Sequence, residues 1–256
     1  MIFNSMRRNA TGKRHRGAAV ALSLMLAVAL PARAATVLLF IDALQGTNYV
    51  APALTALGAT VTTATSWADF NTKLAANPPQ LAIALNQNSA LGANLATMTS
   101  YVNSGGHVIF TDWTQTASFA TLFNASWTGN NNQTPANFTN AALSAGITNP
   151  QPLTNPGWGT WSMGLSPGAS GQSACLFPTN SCVVIGNGGQ TIVLGFLSDT
   201  PSAADGVKLW ENIIGLAGAG APTGPLVVPA LSPWMMAVLA ALLLAAGSFV
   251  IVRRRS

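Results

Sequence analysis

Between residues 36 and 110, four short and almost uninterrupted apolar runs alternate with segments of helical period, and that alternation leaves few folds open to the chain. The first run, Thr36-Val37-Leu38-Leu39-Phe40-Ile41, is rich in strand formers and ends at Asp42. A strand without polar alternation is one buried on both faces, as in a parallel sheet. A helical pattern follows, with Val50, Leu54 and Leu57 on one face and Gly58 as its stop. Val61 to Ala64 reads as a second strand, and Ser66 as the N-cap of a helix carrying Trp67, Phe70 and Leu74, closed by Pro78-Pro79. Leu81 to Leu85 is a third strand and Leu91 to Val102 a third helix. Gly105-Gly106 turns the chain into a fourth strand, His107 to Phe110.

Beyond Asp112 the pattern weakens. Thr114 to Phe123 is compatible with a helix. Residues 124–182 form a long region rich in Asn, Gly and Pro, expected to be either short antiparallel strands or a functional surface loop. Order returns with strands at Val183 to Ile185 and Thr191 to Leu197. A last helix follows, Ala203 to Leu216, with Val207, Trp210, Ile213 and Ile214 facing inward. The fold class expected is therefore α/β: a doubly wound, mainly parallel sheet in a flavodoxin-like three-layer sandwich with an irregular polar insertion.

Both ends carry a different signal. Residues 1–34 have a basic start, an apolar run from Ala18 to Leu30, and Ala32-Arg33-Ala34 before Ala35, which reads as a secretory signal peptide with Ala35 as the mature N-terminus. The alternative is an uncleaved anchor helix. Trp234 to Val252 is a run of 19 residues without a charge, long enough at about 1.5 Å per residue to cross a bilayer core of about 30 Å. Arg253, Arg254 and Arg255 follow at once and, by the positive-inside rule, keep that end cytoplasmic. The Ala- and Gly-rich stretch 217–227 reads as a linker.

The formal charge of +5 suggests a nucleic-acid binder until the charges are placed. Nearly all the basic residues lie at the two ends. Between them Lys73 and Lys208 face Asp42, Asp69, Asp112, Asp199, Asp205 and Glu211, so the exported part is mildly acidic and carries no basic stripe for a phosphate backbone. No nucleic-acid partner is expected.

Val228-Pro229-Ala230-Leu231-Ser232-Pro233-Trp234, then the apolar helix, then the arginine cluster, resembles the IPTL-CTERM sorting signals, relatives of the PEP-CTERM signals. Pro229, Leu231, Ser232 and Trp234 match that pattern, Val228 is a conservative replacement, and Ala230 and Pro233 depart from it. The resemblance covers about the last 29 residues. It implies an exosortase-like processing enzyme as partner. The protein would be anchored in the inner membrane with its domain on the periplasmic side, and then passed to the cell surface.

Residues 36 to 216, apart from their middle third, resemble the class I glutamine amidotransferase-like superfamily, including its ThuA-like branch. The likeness is carried by the first strand ending in Asp42, by Leu57-Gly58-Ala59-Thr60-Val61 and by Tyr101-Val102-Asn103-Ser104-Gly105-Gly106-His107-Val108-Ile109-Phe110. Gly195-Phe196 before an amphipathic helix with Asn212 adds to it. An amidotransferase needs a cysteine on a tight strand-to-helix turn, activated by a neighbouring base. No Gly-x-Cys-x-Gly elbow occurs, and Cys175 and Cys182 both fall in the polar insertion. With six residues between them they read as a small disulfide loop in an oxidising compartment, the other readings being a metal or redox pair.

Candidate chemistry collects where strands end. Asp42, Asn86, Gln87, Asp112, Trp113, Ser198 and Asp199 follow strands and would meet on the carboxyl edge, where doubly wound sheets place their ligands. Asp42 and Asp112 are the candidate catalytic acid and base, and Asn86, Gln87, Trp113 and Asp199 the candidate binding residues. The competing reading is that each aspartate caps the following turn. His107 starts a strand at the opposite edge, which favours a structural role. Trp127, Trp158 and Trp161 suit either a carbohydrate platform, with extracellular polysaccharide as partner, or a small hydrophobic core of the insertion. No cofactor motif and no metal-ligand spacing is present. The expected role is a binding or structural surface domain on a catalytically degenerate scaffold, with a secreted hydrolase or sugar-modifying enzyme using Asp42 and Asp112 as the alternative.

Overall fold

The structure, a computed structural model, describes residues 34–89 and 95–219. The segments expected to be the signal peptide up to residue 33, the first turn of the third helix, most of the linker, the sorting motif and the transmembrane span lie outside the described residues. Among those described, no helix is long and apolar enough to cross a membrane.

The alternation read from the sequence becomes β1 (Thr36–Ile41), α1 (Val50–Ala56), β2 (Thr60–Thr63), α2 (Trp67–Ala76), β3 (Leu81–Asn86), α3 (Leu95–Asn103), β4 (His107–Asp112) and α4 (Ala117–Leu122). The polar region supplies β5 (Ala125–Asn131), β6 (Asn137–Phe138), α5 (Ala141–Ser144), β7 (Met163–Pro167) and β8 (Gln172–Leu176). Then come β9 (Ser181–Gly186), β10 (Thr191–Leu194) and α6 (Gly206–Ile214). The order β2-β1-β3-β4-β10 is parallel throughout, and β9, β7 and β5 continue the same sheet in antiparallel fashion.

The inner strands of the parallel half are apolar on both faces and are covered by helices on both sides, while the edge strand β2 is exposed along its length. Val37, Leu39, Leu81, Ile83, Leu85, Ile109, Ile192 and Leu194 point to one side and pack with α1 and α6. Leu38, Phe40, Ala82, Ala84, Val108, Phe110 and Val193 point to the other and pack with α2, α3 and α4. Each large side chain so buried contributes about 1.5–3 kcal/mol. Phe110 lies between Phe119, stacked at 5.3 Å, and Phe123, tilted at 5.0 Å.

Local signals hold the helices in place. Gly58 has φ +67, the left-handed conformation that glycine adopts without steric cost. Around it Ala59 N–H reaches Leu54 O and Gly58 N–H reaches Thr55 O, both at 3.0 Å, the paired bonds of a Schellman stop. Ser66 Oγ accepts the N–H of Asp69, as expected of an N-cap. On the same helix the Lys73 ammonium beside Asp69, at 2.7 Å, holds that carboxyl below the usual carboxylate range.

The sheet is mixed rather than mainly parallel, and residues 124–182, expected as an irregular insertion of either short antiparallel strands or a surface loop, take the first of these forms and supply its antiparallel half. Their strands are short and bulged, with register shifts in the β5–β7 and β8–β9 pairs, so no sustained period of two shows in the sequence. β10 also ends earlier than expected, at Leu194. At Gly195 the chain is crossed by the start of β7, Met163 N–H donating to Gly195 O at 2.6 Å. A Cβ there would sit 2.2 Å from Met163 O, so only glycine allows the approach. Cys175 and Cys182 form a disulfide with Cα atoms 5.0 Å apart, joining β8 to β9, and both are fully buried.

Closing so short a loop restricts the unfolded chain by about 2.5 kcal/mol. The double variant Cys175→Ser, Cys182→Ser should lose about that much unfolding free energy in urea denaturation, with the secondary-structure circular dichroism retained. For the exposed pair on α2, the lowered Asp69 pKa means a stabilisation that is present above the ordinary carboxylate value and lost as pH falls through the lowered one. Lys73→Met should move the Asp69 titration midpoint upward, read by NMR of its carboxyl carbon.

Candidate functional site

The expected residues do meet on one edge. β1, β3, β4 and β10 run parallel, so Asp42, Asn86-Gln87, Asp112-Trp113 and Ser198-Asp199 all emerge at their carboxyl ends. The strand order reverses between β1 and β3, which is where such sheets open a crevice for ligands.

Here the chain closes that crevice with its own groups. Asp42 Oδ1 accepts the N–H of Gln87 at 2.7 Å, and its Oδ2 accepts those of Asn88 and Ser89 at 2.9 and 2.5 Å. The carboxylate at the end of β1 thus organises the loop after β3. Gln87, 1% exposed, donates from Nε2 to Ala43 O and accepts the Ser198 N–H on Oε1, both at 2.6 Å. It bridges the loops that follow β1 and β10.

Asp112 is fully buried. Its Oδ1 accepts from Asn86 Nδ2 at 2.7 Å and from the N–H and hydroxyl of Thr114 at 3.0 and 2.6 Å, and its Oδ2 accepts the Thr116 N–H at 2.8 Å. This shapes the turn that leads into α4. Asn86 Oδ1 in turn takes the indole N–H of Trp67 at 3.4 Å. Asp199 Oδ2 accepts the N–H groups of Gln45 and Gly46 at 2.8 Å, and both its oxygens lie 3.0 Å from Trp158 Nε1.

Of the expected binding residues only Trp113 faces solvent, at 38% exposure. Its indole N–H donates to Ser89 O at 3.1 Å, which pins the ring against the β3 loop. Trp127, Trp158 and Trp161 pack on the carboxyl edge with Ala43, Met163 and Leu197. His107 begins β4 at the other edge, where its carbonyl accepts from the buried Tyr101 hydroxyl at 3.3 Å. Surface cavities of about 510, 310 and 620 Å³ lie near that amino edge and beside α2 and α3, and none of the three includes Asp42, Asp112 or Asp199.

Sequence reasoning missed the partners rather than the aspartates. The Trp158–Asp199 contact joins residues 41 positions apart, and most of the acceptors' other partners are backbone N–H groups, among them those of Gln45, Gly46, Asn88, Ser89 and Thr116. Backbone donors exist at every non-proline residue, so nothing in the sequence marks them.

No family model matches the chain, and no curated protein matches it. Among solved structures it is similar to a putative GMP synthase component from Thermoplasma acidophilum, with a TM-score of 0.53 at 12% identity over 72% of this chain and 94% of that one. It is also similar to a putative ThuA-like protein from Bacteroides uniformis, at a TM-score of 0.46 and 12% identity over 72% and 90% of the two chains. A glutamine amidotransferase from Thermotoga maritima follows at 0.45 and 9% identity, over 71% and 83%. The likeness to the first of these is one of fold, and at these identities it extends no further.

A carboxylate that orders a loop through three N–H groups is costly to remove, since hydrogen bonds to a charged acceptor contribute about 1.5–3 kcal/mol each and part of that is regained from water. Asp42→Ala should lower the unfolding free energy by about 2–4 kcal/mol in urea denaturation, whereas Trp113→Ala, which loses one partly exposed hydrogen bond, should lower it by about 1 kcal/mol.

Proposed function

We infer that the chain is an exported envelope or surface protein whose amidotransferase-like domain has become a binding or structural scaffold rather than an enzyme. The observation that supports this best is the engagement of Asp42, Asp112 and Asp199 with the backbone and side chains of their own rim. A general acid or base must reach a substrate proton, at about 2.6–3.2 Å or through one water. These carboxylates instead serve as acceptors for the loops that would have to bind the substrate. The lack of a cysteine elbow agrees with this, since the two cysteines are joined to each other.

Export rests on the signal peptide pattern of residues 1–34, and retention at the inner membrane on Trp234 to Val252 and the arginines that follow. The tail from Val228 onward resembles the IPTL-CTERM signals, so an exosortase-like enzyme is the proposed processing partner and the cell surface the proposed destination. The likeness to the GMP synthase component is one of fold and brings no substrate to this chain.

The test is hydrolysis by the full chain and by Asp42→Asn and Asp112→Asn, with glutamine and with aryl glycosides. Turnover is expected at the level of the blank for all three, with the variants distinguished only by lower denaturation midpoints. A hydrolytic rate in the parent that falls by more than about 100-fold in either variant, the usual contribution of an acid–base residue, would establish the enzyme reading.

A further inference from the structure

The two edges of the sheet are protected differently. The path of strands ends at β5 on one side and at β2 on the other. β5 pairs with β7 through a register shift between Trp127 and Asn131, and a bulge of that kind twists an edge away from further pairing. β2, Thr60-Val61-Thr62-Thr63, has no proline and no charge, pairs with β1 in unbroken register, and is exposed along its length. An open, uncharged edge without a bulge is a template for pairing with another chain.

The pairing with β1 decides which groups of β2 are free. Thr60 N–H donates to Ala35 O and Ala64 N–H to Leu39 O, both at 2.8 Å, so the even-numbered residues turn their backbone groups to β1. Val61 and Thr63, between them, turn theirs outward. A second β2 laid antiparallel about a two-fold axis at Thr62 would set Val61 of one copy against Thr63 of the other on both sides of the axis. Each such pair would exchange its N–H and C=O groups. The edge is therefore complementary to itself.

One acceptor that this pairing needs is already taken. Lys73 of α2 reaches across to donate from Nζ to Thr63 O at 2.8 Å, and Asp69 Oδ2, 2.7 Å away, holds the ammonium there. The Thr65 N–H, donating to the same Asp69 oxygen at 2.9 Å, fixes the carboxylate in turn. A charged side chain, lysine above all, is the usual means of blunting an exposed edge. Here the lysine comes from the neighbouring helix rather than from the strand. Four residues make a short seam, well below the roughly 1,200 Å² that stable interfaces bury, so pairing rests on a few backbone hydrogen bonds and the loss of one acceptor per copy weighs heavily.

We propose that Lys73 guards the β2 edge: bound to Thr63 O, it keeps a second copy of this chain from extending the sheet through β2. Without that contact, β2 pairs with β2 of another copy, antiparallel and centred on Thr62. Asp69 is a positioning residue for the guard.

Pairing over so short a seam is transient, so the experiment traps it. The full chain in detergent micelles carries Thr62→Cys as the probe. Cys175 and Cys182 are the chain's only cysteines and are joined to each other, which leaves the new thiol as the one able to cross-link. Opposite Cα atoms in a non-hydrogen-bonded antiparallel pair lie about 4.5 Å apart, within disulfide reach. Under mild oxidation at equal protein concentration, adding Lys73→Met should raise the cross-linking rate about tenfold, the effect of one freed hydrogen-bond acceptor. Lys73→Arg, which keeps a charged donor, should leave the rate near that of the parent. Thr121→Cys, exposed on α4, should cross-link equally with and without Lys73→Met. Equal rates for Thr62→Cys with and without Lys73→Met overturn the guard, whether both are slow or both are fast. A rise that Thr121→Cys shares reports general association or unfolding and overturns it as well.

Discussion

Gln87 holds the carboxyl edge together. From the end of β3 it donates to Ala43 O behind β1 and accepts the Ser198 N–H behind β10, while its own N–H is taken by Asp42. Three loops that a doubly wound sheet normally leaves independent are thereby joined through one buried amide. Trp210 of α6 fastens the same point from below, its indole N–H reaching Ser198 O at 3.0 Å. The position of Asp199, and with it the docking of Trp158 and the tryptophan cluster, follows from where this amide fixes Ser198. A low-dielectric surrounding strengthens each of these bonds and raises the cost of losing any one of them, so the rim behaves as a unit.

The parallel half was legible because its physics is local. Strands buried on both faces must be apolar at every position, helices on a sheet must show a stripe, and Gly58 and Ser66 mark a stop and a start by conformations and bonds made within a few residues. The antiparallel half was legible only in outline, as short antiparallel strands or a loop, with β9 alone placed. β6 is two residues long, β5 and β8 are bulged, and β7 reaches β9 through a single aligned pair. Strands of that kind are specified by their neighbours across the sheet, and those neighbours are not adjacent in sequence. Gly195 shows the same limit in one residue: its need for glycine comes from a carbonyl 32 positions earlier in the chain, and a sequence shows only that a glycine is there.

The rim was legible by residue and opaque by role. Strand ends identify which aspartates, amides and tryptophans share the edge, since parallel strands deliver their carboxyl ends together. Whether an aspartate then points at a ligand or at a neighbouring loop depends on loop paths a few ångströms apart. Asp112 illustrates how completely the second choice can be made: it is fully buried, and its acceptors are used by Asn86, Thr114 and Thr116.

Closing the switch-point crevice changes where a ligand can be recognised. A doubly wound sheet usually binds between loops that part at the β1/β3 boundary, so specificity comes from the parallel half. In this chain those loops are bonded to one another, and the segment that arrives on top of them, β5 to β7 with its tryptophans, belongs to the antiparallel extension. The pairing of β9 with β10 and the crossing at Gly195 tie that extension to the parallel strands, and the disulfide joins β8 to β9 within it, so its position is set by the sheet. The two halves thus divide the work. The parallel half supplies a rigid base whose rim aspartates are engaged by its own loops. The extension supplies the tryptophans that pack on that rim.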